Sequence, residues 1–213
     1  ADASYNWKHY YLLDSAGELK SVSHSQNYSS EFHWNPQRAR IYHFQDGLTP
    51  NSINSTGVDT ATGQLIDYGS PLHDSAYVQH PMRISPDGSY LLMGGGVILN
   101  STTLAKVNEL PNAIINAAWL GQDLYTLRRG TSDLVLQIWN DAFALRREIP
   151  LTVNGAKTWL FSDGSRLLLV TNDNNVATFT PIDPVDDVDR DMDGIADPSD
   201  NCPDISNPDQ VDA

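Results

Sequence analysis

Apolar and polar residues alternate along most of this chain in short bursts of four to seven, each closed by a small polar turn. Met82-Arg83-Ile84 runs into Ser85-Pro86-Asp87-Gly88, and Tyr90-Leu91-Leu92-Met93 leaves it. Farther on, Thr158-Trp159-Leu160-Phe161 and Arg166-Leu167-Leu168-Leu169-Val170 flank Ser162-Asp163-Gly164. Bursts of this length, rich in β-branched and aromatic residues and bounded by turn formers, predict strands. No stretch carries the 3.6-residue period of a long amphipathic helix, so the chain is expected to be all-β.

The turns recur. Asp14-Ser-Ala-Gly-Glu-Leu19, Asp59-Thr-Ala-Thr-Gly-Gln-Leu65, Asn100-Ser-Thr-Thr-Leu104 and Asn140-Asp-Ala-Phe-Ala-Leu145 start at steps of 45, 41 and 40 residues, and a further 43 reaches Asp183. A second series interleaves with them at Asn35-Pro36-Gln37, Ser85-Pro86-Asp87-Gly88, Gly121-Gln122-Asp123 and Ser162-Asp163-Gly164. Two turns per period mean four strands per period, and a four-stranded repeat of this length predicts β-propeller blades. The Ser-Pro-Asp-Gly turn beside an apolar strand, and Asp59-Thr-Ala-Thr-Gly-Gln-Leu65, resemble the blades of YVTN-type and TolB-type seven-bladed propellers. That degenerate likeness spans residues 10–182 and implies architecture rather than activity. The blade count is four to five: two strands in residues 10–22, three fuller units, and three strands in 157–182. A seven-bladed ring needs about 300 residues, so the pattern is that of an open portion of a larger propeller, with blades supplied from elsewhere, or of a small irregular ring.

Composition alters this picture only at the far end. The formal charge is −14, and residues 183–213 hold eleven Asp against one Arg, so −10 of it lies there. The chain therefore divides into a propeller-like domain, 1–182, and an acidic tail, 183–213. Within the tail, Asp189, Asp191, Asp193, Asp197 and Asp200 occupy positions 1, 3, 5, 9 and 12 of a loop with Gly194 at 6 and the Ile195 carbonyl at 7. A hard cation takes six to eight oxygen ligands, and alternate residues of a tight loop can all point inward, so this is the ligand order of a calcium loop. Like charges about 4 Å apart repel by roughly 1 kcal/mol per pair even in water, so such crowding calls for a cation. An EF-hand would continue as a helix, whereas here Asn201-Cys202-Pro203 and Asn207-Pro208-Asp209-Gln210-Val211-Asp212 follow.

The whole string over 189–212 resembles a thrombospondin type 3 repeat. That resemblance implies a calcium-wrapped segment with little regular structure, in which Asp189, Asp191, Asp193, Ile195, Asp197 and Asp200 hold one ion while Asn207 and Asp212 help hold another. It implies too that Cys202, the sole cysteine, sits in the family's disulfide position, its partner outside this chain; Ser199 stands where some members carry a second cysteine. The family continues into further repeats or an anchoring domain.

Several function classes drop out. There is no basic patch for nucleic acid and no apolar run approaching 18 residues for a membrane span. The six histidines, His9, His24, His33, His43, His73 and His80, show no metal-protease spacing and are expected on turns and strand surfaces. His73-Asp74-Ser75 cannot form a relay, because neighbours on a strand point to opposite faces. Gly94-Gly95-Gly96 lacks the following Lys-Ser/Thr of a phosphate loop and is expected to be a bend or bulge inside a strand. Trp119, Trp139 and Trp159, spaced by 20, are expected to pack between sheets. The sequons at Asn27, Asn54 and Asn100 matter only in a eukaryotic host. Arg83 or a strand-borne aromatic could line a central channel. The reading is a secreted or surface-attached (extracellular, cell-surface or periplasmic) calcium-binding interaction or adhesion protein: a propeller scaffold for a protein or carbohydrate ligand with a Ca2+-stiffened connector. The alternative is an extracellular propeller enzyme, a hydrolase or lyase on polysaccharide, with the repeat as linker; no catalytic residues are legible for it.

Overall fold

The computed structural model describes residues 11–23, 31–45, 52–73, 78–131, 133–153 and 157–182, and in the tail 195, 200–202, 204–209 and 211. Every element it describes is a strand. The chain forms two compact units, 1–115 and 116–213.

The first unit opens with a two-stranded ribbon, β1 (Tyr11–Leu13) and β2 (Leu19–Val22). An antiparallel four-stranded meander follows, β3 (Phe32–Asn35), β4 (Arg40–Gln45), β5 (Ser52–Asp59) and β6 (Gln64–His73). The next meander is β7 (Met82–Ile84), β8 (Tyr90–Met93), β9 (Val97–Asn100) and β10 (Lys106–Glu109). The second unit holds a third meander, β11 (Asn116–Leu120), β12 (Asp123–Arg129), β13 (Leu134–Trp139) and β14 (Leu145–Leu151). Its last sheet has three strands, β15 (Lys157–Ser162), β16 (Leu167–Asp173) and β17 (Val176–Ile182). The anticipated four strands per period are thus present, and β17 ends where the acidic run begins. Pro150 and Pro181 lie in β14 and β17, at sheet edges, where a missing N–H costs no ladder bond.

The recurring Asx residues explain the period. Asp14 Oδ1 accepts from the Ala16 and Glu18 amides (both 2.9 Å), and Asp59 Oδ1 from Ala61 and Thr62 (2.9 and 3.3 Å). Asn100 Oδ1 accepts from Thr102 and Thr103 (2.9 and 3.0 Å), and Asn140 Oδ1 from Ala142 and Ala144 (3.1 and 2.8 Å). Each folds the chain back between the last two strands of its sheet or ribbon, as short polar side chains do when they bond their own backbone. Each turn also needs one left-handed residue. Gly17 and Gly63 supply it in two (φ 82° and 71°), whereas Leu104 and Phe143 adopt it in the others (φ 55° and 59°). One geometry met by different residues is why the repeat looks degenerate. Asn140→Ala is expected to cost about 1 kcal/mol, read from the urea midpoint, and Asn140→Asp to restore most of it.

The Ser-Pro-Asp-Gly turn joins one sheet to the sheet before it. Its Gly88 carbonyl accepts from Asn35 Nδ2 (2.9 Å) and Ser101 Oγ (2.6 Å), and its Pro86 carbonyl from Gln37 Nε2 (2.9 Å). Tyr42 Oη, from β4, donates to the Ser101 carbonyl at 2.6 Å. Beside these bonds lies the core of the first unit. Tyr42, Phe44 and Ile53 pack on Val78, Met82, Leu91, Met93, Val97 and Leu99, each buried side chain stabilising by about 1.5–3 kcal/mol before entropy is counted.

Two expectations change. Gly94-Gly95-Gly96 is the hairpin turn between β8 and β9, not a bend inside a strand. His43 is no surface residue; it is fully buried on β4. The tryptophans partly follow expectation: Trp139 is 2% exposed and donates through Nε1 to Thr126 Oγ1 (2.9 Å), while Trp119 and Trp159 are half-buried. Asn54 is fully buried in mid-strand, which removes it as a glycan acceptor in the folded chain.

Candidate functional site

The sequence points first to the tail. Of its eight expected ligands, Ile195, Asp200 and Asn207 are among the described residues, while Asp189, Asp191, Asp193, Asp197 and Asp212 lie outside them. From Asp200 onward the described tail contains turns and no helix. Asp200 Oδ1 accepts from the Cys202 amide (2.8 Å), the Ile205 amide donates to the Cys202 carbonyl (2.9 Å), and Asn207 Nδ2 donates to Asn201 Oδ1 (2.7 Å). Cys202 is half-buried and makes no disulfide within this chain.

A second constellation appears where the first strands of successive sheets converge, β3 lying against β7. Glu31 immediately precedes β3. One carboxylate oxygen stands 2.8 Å from His33 Nε2 and 3.0 Å from Arg83 Nη1, and the other 2.8 Å from His80 Nδ1. His33 and Glu31 share a face because they are two apart on an extended chain, and His80 and Arg83 reach them from the start of β7. The surroundings hold the cluster in place. The His80 ring packs on Phe44 with centroids 4.0 Å apart, and Arg83 Nη1 also donates to the Met82 carbonyl at 2.6 Å. On the other face of the same sheet, Phe32, His43 and Asn54 stand opposite one another in register, with Phe32 and His43 rings 5.1 Å apart. Neither amide atom of Asn54 has a hydrogen-bond partner among the described residues.

Burial alone would raise the Glu31 pKa, but the hydrogen bonds of His33 and His80 and the charges of His33 and Arg83 outweigh it and hold the carboxyl at about 2. The folded value thus lies below the ordinary 4.5, so this group's stabilisation is present above pH 4.5 and disappears as pH falls from there to 2. Its size is on the order of 1–2 kcal/mol after allowance for solvent screening. Glu31→Gln is expected to flatten that limb of the stability curve, measured by urea unfolding between pH 2 and pH 5. No group of three or more His, Cys, Asp or Glu among the described residues has the arrangement of a metal site.

No family model matches this sequence, and no curated protein matches it either. Solved structures do share its architecture. The chain superposes on puromycin hydrolase with a TM-score of 0.55 at 14% identity, over 81% of this chain and 29% of that one. On the Dos1 propeller the score is 0.58 at 10% identity, over 78% of this chain and 48% of the other. On TolB from Acinetobacter baumannii it is 0.50 at 17%, over 80% and 45%. The fold is a β-propeller. The chain spans less than half the length of each of these three proteins.

The sequence singles out Arg83 as a residue that could line a central channel, expects His33 and His80 on turns and strand surfaces, and gives no role to Glu31. The four come from positions up to 52 apart, and only the packing of β3 on β7 unites them. One signal was available: Glu31 and His33 alternate with Phe32 and Trp34, placing a charged pair on one face of an inner strand. Among the described residues of the propeller, no helix is long and apolar enough to cross a membrane.

Proposed function

We propose that the chain is a propeller scaffold that binds a protein or carbohydrate ligand and continues into a calcium-held connector, working outside the cell, at its surface or in the periplasm. The observation carrying this is the carboxylate register: oxygen donors at Asp189, Asp191, Asp193, Asp197 and Asp200, with the Ile195 carbonyl between them, suit a hard cation and no soft one. Asp200 closes its turn through one oxygen on the Cys202 amide, and the chain then continues through further turns. Asn207 and Asp212 would contribute to a second ion. Calcium would supply the countercharge that lets the aspartates approach, ordering a segment that otherwise repels itself. Within the propeller the scaffold role rests on architecture alone. Limited proteolysis tests the connector: the tail is expected to be cut in chelator and protected in millimolar calcium, and equal cleavage in both would refute it.

A propeller enzyme acting on polysaccharide gains one observation, the meeting of histidines and a carboxylate from two sheets on β3 and β7. Glycoside hydrolysis usually needs a pair of carboxylates flanking the scissile bond, and Glu31 stands with two histidines and an arginine instead. Binding is the chemistry this cluster supports.

A further inference from the structure

We propose that the outer edge of β17 is the surface through which two copies of this chain associate, pairing antiparallel so that two three-stranded sheets become one continuous sheet. This goes beyond the scaffold reading and is independent of the calcium-held tail. In the three complete sheets the third strand is covered: β13 is buried at every position, and β5 and β9 at all but their last. β17 holds the same third place in its sheet, pairs with β16 on one side, and has no neighbouring strand on the other among the described residues. Val176 and Phe179 are consequently 66% and 63% exposed. The strands β2, β10 and β14, which also end their sheets, carry charges: Lys20 in the first, Lys106 and Glu109 in the second, Arg146, Arg147 and Glu148 in the third. Charges of this kind keep exposed edges from pairing. β17, Val176-Ala-Thr-Phe-Thr-Pro-Ile182, carries none.

What selects a second copy as the occupant is the strand's own sequence, which reads nearly the same in both directions about Phe179: Thr178 matches Thr180, Ala177 matches Pro181, and Val176 matches Ile182. Two such strands placed antiparallel on a two-fold axis at Phe179 set Thr178 opposite Thr180 of the second copy and Val176 opposite its Ile182. Threonine pairs and β-branched aliphatic pairs are favourable across strands, and no like charges meet. The proline fits the same register. Pro181 gives up no ladder bond to β16, so its backbone faces outward, and those of Ala177 and Phe179 face outward with it, since direction alternates along a strand. The two Phe179 residues then exchange both of their N–H···O=C bonds, and each Ala177 amide donates to the Pro181 carbonyl of the other copy. Trp159, Val170 and Phe179 stand in one row across the sheet. Pairing on the axis runs this half-covered apolar row into its copy and takes more of it out of water. A contact of this symmetry closes as a dimer and leaves no free end for further growth.

The test is sedimentation equilibrium of the intact chain from about 1 µM to about 1 mM, the range expected of a small interface, in chelator and again in millimolar calcium. The expected result is a reversible shift from 23.5 kDa toward twice that mass in both solutions, so a failure of the calcium connector would leave this outcome untouched. Phe179→Lys, which sets two like charges against each other on the axis, is expected to stay monomeric throughout. Phe161→Lys changes a residue that is also exposed (50%) but lies on β15, at the opposite edge of the same sheet, and is expected to dimerise as the wild type does. The proposal is overturned by a wild type that stays monomeric or dimerises only in calcium, and by a Phe179→Lys chain that still dimerises. Equal loss in the two variants overturns it as well, since that is the mark of sheet faces stacking rather than edges pairing. Should Phe179→Lys fail to fold, hydrogen exchange of the wild type decides: the Ala177 and Phe179 amides are expected to slow as concentration rises, and unchanged rates overturn the proposal.

Discussion

Gly94→Ala is expected to destabilise the first unit by about 3 kcal/mol or more and to disperse the Glu31 cluster with it. Gly94 sits in the hairpin turn between β8 and β9, its amide donating to the Gln79 carbonyl at 2.8 Å and its carbonyl accepting from the Ile114 amide at 2.8 Å. A Cβ there would overlap the His80 carbonyl oxygen and lie 2.8 Å from the Pro81 nitrogen. Both are backbone atoms, so no side-chain rotation relieves the clash; the segment carrying His80 has to move. That takes the imidazole away from Phe44 and from Glu31 together. The comparison is Gly121→Ala, which puts a side chain at a φ of 61° but meets nothing within 4 Å. It is expected to cost about 1 kcal/mol of backbone strain and to leave the cluster alone. Urea midpoints give the stabilities, and the imidazole signals of His33 and His80 report the cluster. Equal effects at the two glycines would show that the close approach at Gly94 is not what holds this region.

The propeller was legible because its turns repeat chemically. Asp14, Asp59, Asn100 and Asn140 each bond their own backbone, and that requirement survives where the left-handed residue drifts from Gly63 to Leu104 or Phe143. Strands with one exposed face were equally plain. β5 was harder, since only Ile53 and Val58 are large apolar residues, yet Ser52, Asn54, Ser55 and Thr56 are buried with them. A central strand covered on both faces has no solvent side to enforce alternation. The Gly94 turn was misread for a related reason: a run of glycines signals backbone proximity, and the neighbour it approaches, His80, is set by tertiary packing. The Glu31 cluster escaped notice because each member was weighed singly, and a histidine alone on a strand is unremarkable chemistry. The tail is the reverse case, where residue spacing carries the whole argument and packing adds little.

Asp191→Asn together with Asp193→Asn is expected to weaken calcium binding on the order of a hundredfold, because each carboxylate lost removes about 1–2 kcal/mol of attraction to the ion. The substitutions keep size and oxygen donors, so a purely structural role for these side chains would leave affinity nearly unchanged. They also lower the acidity of a segment that repels itself, so the calcium-free tail should become less protease-sensitive in chelator. Affinity and cleavage in chelator then fall together, a combination that general unfolding does not produce. Calorimetric titration of the intact 213-residue chain with calcium is the direct measurement. The account predicts saturable heat in the 10⁻⁴–10⁻³ M range of extracellular calcium modules, lost in the double variant. A flat titration of the unsubstituted chain through that range would contradict it.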